Sequence, residues 1–456
     1  MTKFLPLGAT AAATLLLSAC SFVPAYERPA APVAATYPGA STTAATTPAA
    51  DIAWQDYFVD ARLKRLIEIS LANNRDLRVA ILSIDRAQAQ YRVQRAAQFP
   101  AINGAFAGQR QSGSSDVYTL GVGITSFELD FFGRIQSLKD AALAQYLATA
   151  EARKTVQINL VAAVANTYLS ILADEELLRL TRETLTTREQ SLKLAQLRFD
   201  NGVSSELDLR QAQGLVEGAR AATAQLQRQR ALDENALVLL LGQPLPSDLP
   251  AGPDFSAQAA LLSDVPPGLP SELLTKRPDI RSAEQSLLAA NANIGSARAA
   301  FFPRISLTTS VGKASGDLDN LLSGGTGWTF APQLLVPIFN FGANEANLET
   351  AKVSRQIAIA QYEKAIQTAF REVADSLAGR GTLLDQYRAT QAQVDAAAAT
   401  FKLSELRYSN GVASYLDLLD AQRSLFTAQQ AVVQIRLAQL QNQVTLYKAL
   451  GGGWKD

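Results

Sequence analysis

The 456-residue chain contains no histidine, a single cysteine and a single methionine, and its 42 basic residues are cancelled by 42 acidic ones. Without histidine the commonest general base and metal ligand is missing, and every His-containing triad is excluded; one thiol excludes an internal disulfide or a thiolate metal cluster. The neutral balance favours no nucleic acid partner, and an aromatic content of 7% argues against a base-stacking groove. An enzyme would have to work with carboxylates, lysine or tyrosine alone. No paired acids converge from the sequence, so no catalytic residue, metal or cofactor is assigned. Hydrophobic residues, at 48%, supply ample material for a core.

The lone cysteine sits in an informative place. Lys3 precedes an apolar run from Phe4 through Leu17, followed by Ser18-Ala19-Cys20. This is a charged n-region, an h-region too short to span a membrane, and small residues before a cut. Leu-Ser-Ala-Cys resembles the bacterial lipobox, so the reading is a signal peptide over residues 1–19 and a Cys20 carrying diacylglycerol and an N-acyl chain. Ser21, rather than Asp, points by the sorting rule for such lipoproteins to the outer membrane. Residues 20–60 form the lipidated N-terminal segment; the Pro, Ala, Thr and Ser of 24 to 50 predict extended chain wrapped along a surface. No further hydrophobic stretch reads as a membrane helix, so other membrane contact must come from strands.

The chain writes itself twice. LRFDNGVSSELDLRQAQ, from Leu197, matches LRYSNGVASYLDLLDAQ, from Leu406, with Asn201 and Asn410 aligned (410 − 201 = 209). Asp76-Leu77-Arg78 matches Asp279-Ile280-Arg281 (279 − 76 = 203), Phe99-Pro100 matches Phe302-Pro303, Phe132-Gly133 matches Phe341-Gly342, and Leu241-Gly242 matches Leu450-Gly451. The division is a first repeat at 61–241, a linker at 242–270, a second repeat at 271–450 and a tail at 451–456. Two copies suit a pseudo-symmetric protomer better than a solenoid.

Each copy has one internal order. A helix of about 75 to 98, or 279 to 301, stops at Phe-Pro. Alternating segments follow: Tyr118, Leu120, Val122 and Ile124 share a face opposite Thr119, Gly121, Gly123 and Thr125. Ile305, Leu307 and Val311 oppose Ser306, Thr308, Ser310 and Gly312, while Trp328, Phe330, Leu334, Val336 and Ile338 share a face. Such strands suit lipid on one side and water on the other. From Arg134 to Asp200 there is neither Gly nor Pro, which predicts one helix of about 100 Å. Spacings of three and four, as in Leu160, Val164, Tyr168 and Ile171, or Ile359, Tyr362, Ile366, Phe370, Val373 and Leu377, predict coiled-coil seams. Asn201-Gly202 and Asn410-Gly411 then turn the chain into a return helix, so the twin stretch is the tip of two helical hairpins. Four strands cannot close a membrane barrel alone, so copies must assemble about an axis.

The lipobox, the stretch Trp54–Ala80, the Phe-Pro and Phe-Gly landmarks, KRPDIRSAE (276–284) and RYSNGVASYLDLLDAQRSL (407–425) together resemble the TolC/OprM family of outer-membrane efflux ducts. The resemblance covers essentially the whole mature chain. It implies a mainly α fold with a membrane β-barrel, formed as a homotrimer. Each protomer gives four strands to a twelve-stranded barrel and long helices to a twelve-helix periplasmic α-barrel, with a mixed equatorial domain between them. It further implies a passive duct for drugs or other small solutes in the Gram-negative outer membrane, served by a periplasmic adaptor and an inner-membrane RND-type pump.

Ser205-x-x-Asp208 and Ser414-x-x-Asp417 fit capping boxes at the start of the return helices, although both aspartates also count as gate candidates. By resemblance, Leu416 and Asp420 form constricting rings at the closed periplasmic end, where three carboxylates would favour cations. Asp420 has Gln211 as its repeat counterpart (420 − 209 = 211). The tip residues Arg198, Asn201, Gly202, Val203, Arg407, Asn410, Gly411 and Val412 are the expected adaptor contacts, and the two arginines are candidates to pair with nearby acids. Competing readings are a periplasm-spanning structural lipoprotein, a type I secretion exit duct, and a hydrolase working with carboxylates alone. The cargo, the pump and the adaptor are not encoded in any motif.

Overall fold

A computed structural model describes residues 22–38, 48–110, 112, 115–263, 265 and 270–455. The expected signal peptide and the expected lipidation site, Cys20, lie outside the described residues. The helices are α1 (Trp54–Tyr57), α2 (Ala61–Asn73), α3 (Arg75–Ala96), α4 (Arg134–Asp200), α5 (Glu206–Leu241), α6 (Pro270–Lys276), α7 (Pro278–Ala299), α8 (Ala343–Ser409) and α9 (Tyr415–Ala449). The strands are β1 (Ile102–Gln109), β2 (Val117–Leu129), β3 (Arg304–Ser315) and β4 (Thr326–Leu335). Two compact units draw on both repeats: one takes Ile81–Ala152 and Asp279–Ala365 with the chain up to Ala31, the other Pro32–Ala80, Arg153–Pro278 and Ile366–Asp456.

In the first unit the strands form one antiparallel sheet in the order β1-β2-β3-β4. Register places Gly104, Val122, Val311 and Trp328 in one row, and Ala105, Gly121, Gly312 and Gly327 in the next. One face is therefore apolar and the other small or polar, as the alternation predicts. The period breaks between Ile124 and Phe127, where Ser126 adopts a positive φ of 51° and donates its N–H to Thr308 Oγ1 at 3.1 Å. This bulge returns Phe127 to the face of Ile124. The apolar face is exposed, Trp328 by 77%. Lys313, the cation on that face, lies at the loop end of β3 and donates to the Leu322 carbonyl. At the opposite ends of the strands, Phe99, Phe131, Phe339 and Phe341 stand exposed at the helix–strand elbows. Val336 and Ile338, expected on the face of β4, lie beyond its end at Leu335.

The N-terminal segment is strapped antiparallel along α7 of the same unit. Phe22 stacks on Phe302, with ring centroids 4.5 Å apart, and its carbonyl accepts from Arg298 at 3.0 Å. Pro24 O accepts from Asn291 at 2.8 Å, and Arg28 grips Glu284 with two bonds of 2.7 and 3.0 Å. Between these contacts Gly295 lets the strap approach: a Cβ there would lie 2.5 Å from Val23 Cγ2. Of the wrapping predicted for residues 24 to 50, the part up to Arg28 runs along α7.

In the second unit, helix faces interlock as the seams predict, with Val164, Tyr168, Tyr447, Ile366 and Val373 buried. The α4 helix does contain an 18-residue stretch long and apolar enough to cross a membrane, which corrects the expectation of none. Of that stretch 67% is buried in protein, the mark of a packed core. The segments outside the repeats join here: Tyr57 stacks on Tyr447 at 3.9 Å, Phe58 bridges Leu262, and Asp60 accepts from Tyr168 (2.9 Å) and Gln258 (2.8 Å). Asp51 lies between Lys276 (2.9 Å) and Lys455 (2.5 Å), which hold its carboxyl below the usual range.

Candidate functional site

The tips are built twice from the same bonds. At the end of α4, Gly202 N–H donates to Phe199 O at 2.9 Å and Val203 N–H to Arg198 O at 2.9 Å; at the end of α8, Gly411 donates to Tyr408 O at 3.0 Å and Val412 to Arg407 O at 2.8 Å. This double closure is a Schellman motif, which needs a left-handed residue. Gly202 and Gly411 supply φ values of 73° and 74°. Asn201 and Asn410 each turn the side-chain amide back onto a helix carbonyl, Leu197 O and Leu406 O, at 2.7 Å. Val203 and Val412 stand exposed beyond the turns.

The return helices begin with reciprocal caps. Ser205 Oγ accepts from Asp208 N–H at 3.2 Å while Asp208 Oδ2 accepts from Ser205 N–H at 3.2 Å; Ser414 and Asp417 repeat both bonds at 3.2 Å. The carboxylates of Asp208 and Asp417 are thus occupied in capping boxes. Arg198 lies over the Tyr408 ring, 4.8 Å from its centroid. Among the described residues neither Arg198 nor Arg407 pairs with an acid, so the suggested ion pairs do not form here; the aromatic ring offers Arg198 a nearer partner.

Leu416, Asp420 and Arg423 recur at helical spacing and share one face of α9. Leu416 is 51% exposed, and Arg423 Nη1 lies 3.6 Å from Asp420 Oδ1. The other side of the same turns is packed: Tyr415, Leu418 and Leu419 form a core with Ala195 of α4 and Ala212 of α5, flanked by Leu192, Leu215, Phe401 and Tyr408. The candidate constriction residues therefore project from a helix anchored on its far side, and among the described residues the ion pair they form is Asp420–Arg423.

A family model described as outer membrane efflux protein matches residues 66–243 and 269–452. The chain belongs to the outer membrane efflux protein family. It is 48% identical to the toluene efflux pump outer membrane protein TtgC of Pseudomonas putida, over all of this chain and 97% of that protein. It is 45% identical to the outer membrane protein OprJ of Pseudomonas aeruginosa, over 97% and 95% of the two. Among solved structures, the open state of the Neisseria gonorrhoeae MtrE outer membrane channel superposes with a TM-score of 0.88 at 41% identity, covering 96% of this chain and 99% of that one. This outer membrane efflux protein accordingly has the TolC-like fold, resides in the outer membrane and serves efflux.

Two features of the family member escaped the motif reading. Asp174 of α4 is buried beside Asp233 of α5, and burial first, then the neighbouring carboxylate, push its carboxyl up to about 7. Arg188 of α4 is buried, among the described residues without a carboxylate partner, beneath Phe426 of α9. The only signal available was the repeat itself: at the 209-residue offset, Asp174 and Asp233 face Leu383 and Asn442, so the pair is peculiar to one copy.

Proposed function

We propose that three copies of the chain close a twelve-stranded barrel and a helical periplasmic tunnel into one passive duct, through which a pump and its adaptor export drugs or other small apolar solutes. The observation that carries this is the sheet: among the described residues β1 and β4 each pair on one side only, and the face they share is apolar and exposed. Open strand edges are untenable in lipid, and eight strands or more are needed to remove them within a single barrel. Threefold closure and an RND-type pump with a periplasmic adaptor follow the family resemblance. The class of cargo is supported by relatives named for toluene and antibiotic efflux.

Leu416 and Asp420 are the constriction, with Arg423 holding the carboxylate. Asp208 and Asp417 act indirectly, by fixing the turns from which the return helices spring. The turns Arg198–Val203 and Arg407–Val412 offer exposed, twinned contacts to the adaptor. Cys20 carries the lipid, two residues before the Phe22 that stacks on Phe302 at the helix–strand elbow.

The test is the Leu416→Ala, Asp420→Ala double variant in planar bilayers, beside the native mass of the detergent-purified protein. The expected outcome is a trimeric mass and a conductance that rises in the double variant. Unchanged conductance removes these residues from the constriction, and a monomer without a pore removes the assembly.

A further inference from the structure

A cavity of about 160 Å³ lies in the second unit, lined by α4, α8 and α9. Arg188 lines it and is 7% exposed. Its Nη1 donates to the Leu215 carbonyl of α5 at 3.1 Å, and its guanidinium stands 5.2 Å from the Phe426 ring centroid. Among the described residues its Nε–H has no partner. Gln422, 8% exposed, also lines the cavity; its Nε2 reaches Ser191 Oγ at 3.4 Å and its Oε1 is unpaired. Burial, followed by the nearby Arg423, disfavours the charged form of Arg188. A guanidinium removed from water is ordinarily matched by a carboxylate, because a neutral carbonyl and a ring face compensate only part of the lost hydration. Glu183 lines the same cavity, but its carboxylate is taken by Arg179 at 2.7 Å and is largely exposed.

We propose that this cavity binds a small organic acid, the carboxylate accepting from Arg188 and the apolar body lying among Leu180, Phe401, Leu425 and Phe426. Guanidinium presents a planar fork that carboxylate oxygens match. The volume suits a single ring, since an apolar cavity of about 150 Å³ accepts benzene. The site is separate from the constriction. Gln422 lies two residues from Asp420, which at about 100° per residue places it on the opposite side of α9. The ligand is thus bound apart from the Leu416 and Asp420 face and is not cargo passing it.

The experiment is titration calorimetry of the full-length, detergent-purified protein with benzoate, benzyl alcohol and benzylamine. Benzoate should bind saturably, and the two uncharged or cationic analogues about ten-fold more weakly or not at all. Arg188→Gln should weaken benzoate about ten-fold while leaving the alcohol unchanged. Equal binding of benzoate and benzyl alcohol, or undiminished benzoate binding by Arg188→Gln, overturns the proposal. Where Arg188→Gln does not assemble, Thr184→Phe fills the cavity from its wall and keeps the guanidinium. It should abolish benzoate binding, and retention of that binding overturns the site equally.

Discussion

The two hairpin tips share their turns bond for bond and differ in what the following helix faces. Ser205 and Ser414 make the same cap with the same 3.2 Å bonds, and Gly202 and Gly411 take the same φ to within a degree. One turn later the copies part. Glu206 and Arg210 of α5 form an exposed ion pair at 3.1 Å, where α9 places Tyr415 and Leu419 in the core. Gln211 and Gly214 correspond to Asp420 and Arg423. Duplication preserved the local chemistry that any hairpin needs, and divergence fell on the surfaces that meet something else. Both return helices are packed through Leu209 and its counterpart Leu418, but only the second copy adds Tyr415 and Leu419 to the core, and it carries the proposed constriction residues on its outer side.

The largest expected asymmetry is in the core. Leu419 is fully buried, so Leu419→Ala should cost about 2–5 kcal/mol, while Arg210→Ala at the matching position should cost under about 1 kcal/mol. Thermal melting of the purified protein followed by circular dichroism compares them, and equal losses would erase the distinction between the copies. A smaller, symmetric effect belongs to the caps: Ser205→Ala and Ser414→Ala should each cost about 1 kcal/mol. A marked difference between those two variants would mean that one cap carries more than local helix stability.

The smallest effect concerns Asp174, whose folded-state carboxyl titrates near 7 against about 4 when unfolded. The folded state therefore binds the extra proton, and this contribution is complete below about pH 4 and lost as pH rises through 7. Replacing the neighbouring charge by Asp233→Asn, which copies Asn442 of the second repeat, should raise the melting temperature at pH 8 and change it little at pH 4.5. A shift of equal size at both values would assign the effect to packing instead of charge.

Much of the fold was legible because its determinants are local. Absence of Gly and Pro from Arg134 to Asp200 bounded α4 to the residue, and the Asn-Gly pairs located both tips. Alternation identified the strands up to Ser126, where the bulge shifts the period, and ran past Leu335, where β4 ends. What was not legible depends on partners far away in the chain. The strap has no period of its own, since its order comes from Glu284, Asn291 and Arg298. Arg188 resembles any helical arginine until Leu215, Gln422 and Phe426 are seen to surround it. Leu416 and Asp420 were located by family resemblance, and the structure adds the reason one side of α9 is available: the other is packed.

A sheet that ends in two unsatisfied edges also has a genetic consequence. In the threefold assembly proposed above, a subunit with a damaged edge strand would still offer its sound edge to a neighbour, join the ring and leave the wall open. In a threefold ring assembled at random from equal pools of sound and faulty chains, only about one complex in eight is wholly sound. Lesions in β1 or β4 should thus behave as dominant, whereas a lesion that prevents the strap or core from folding removes only its own copy.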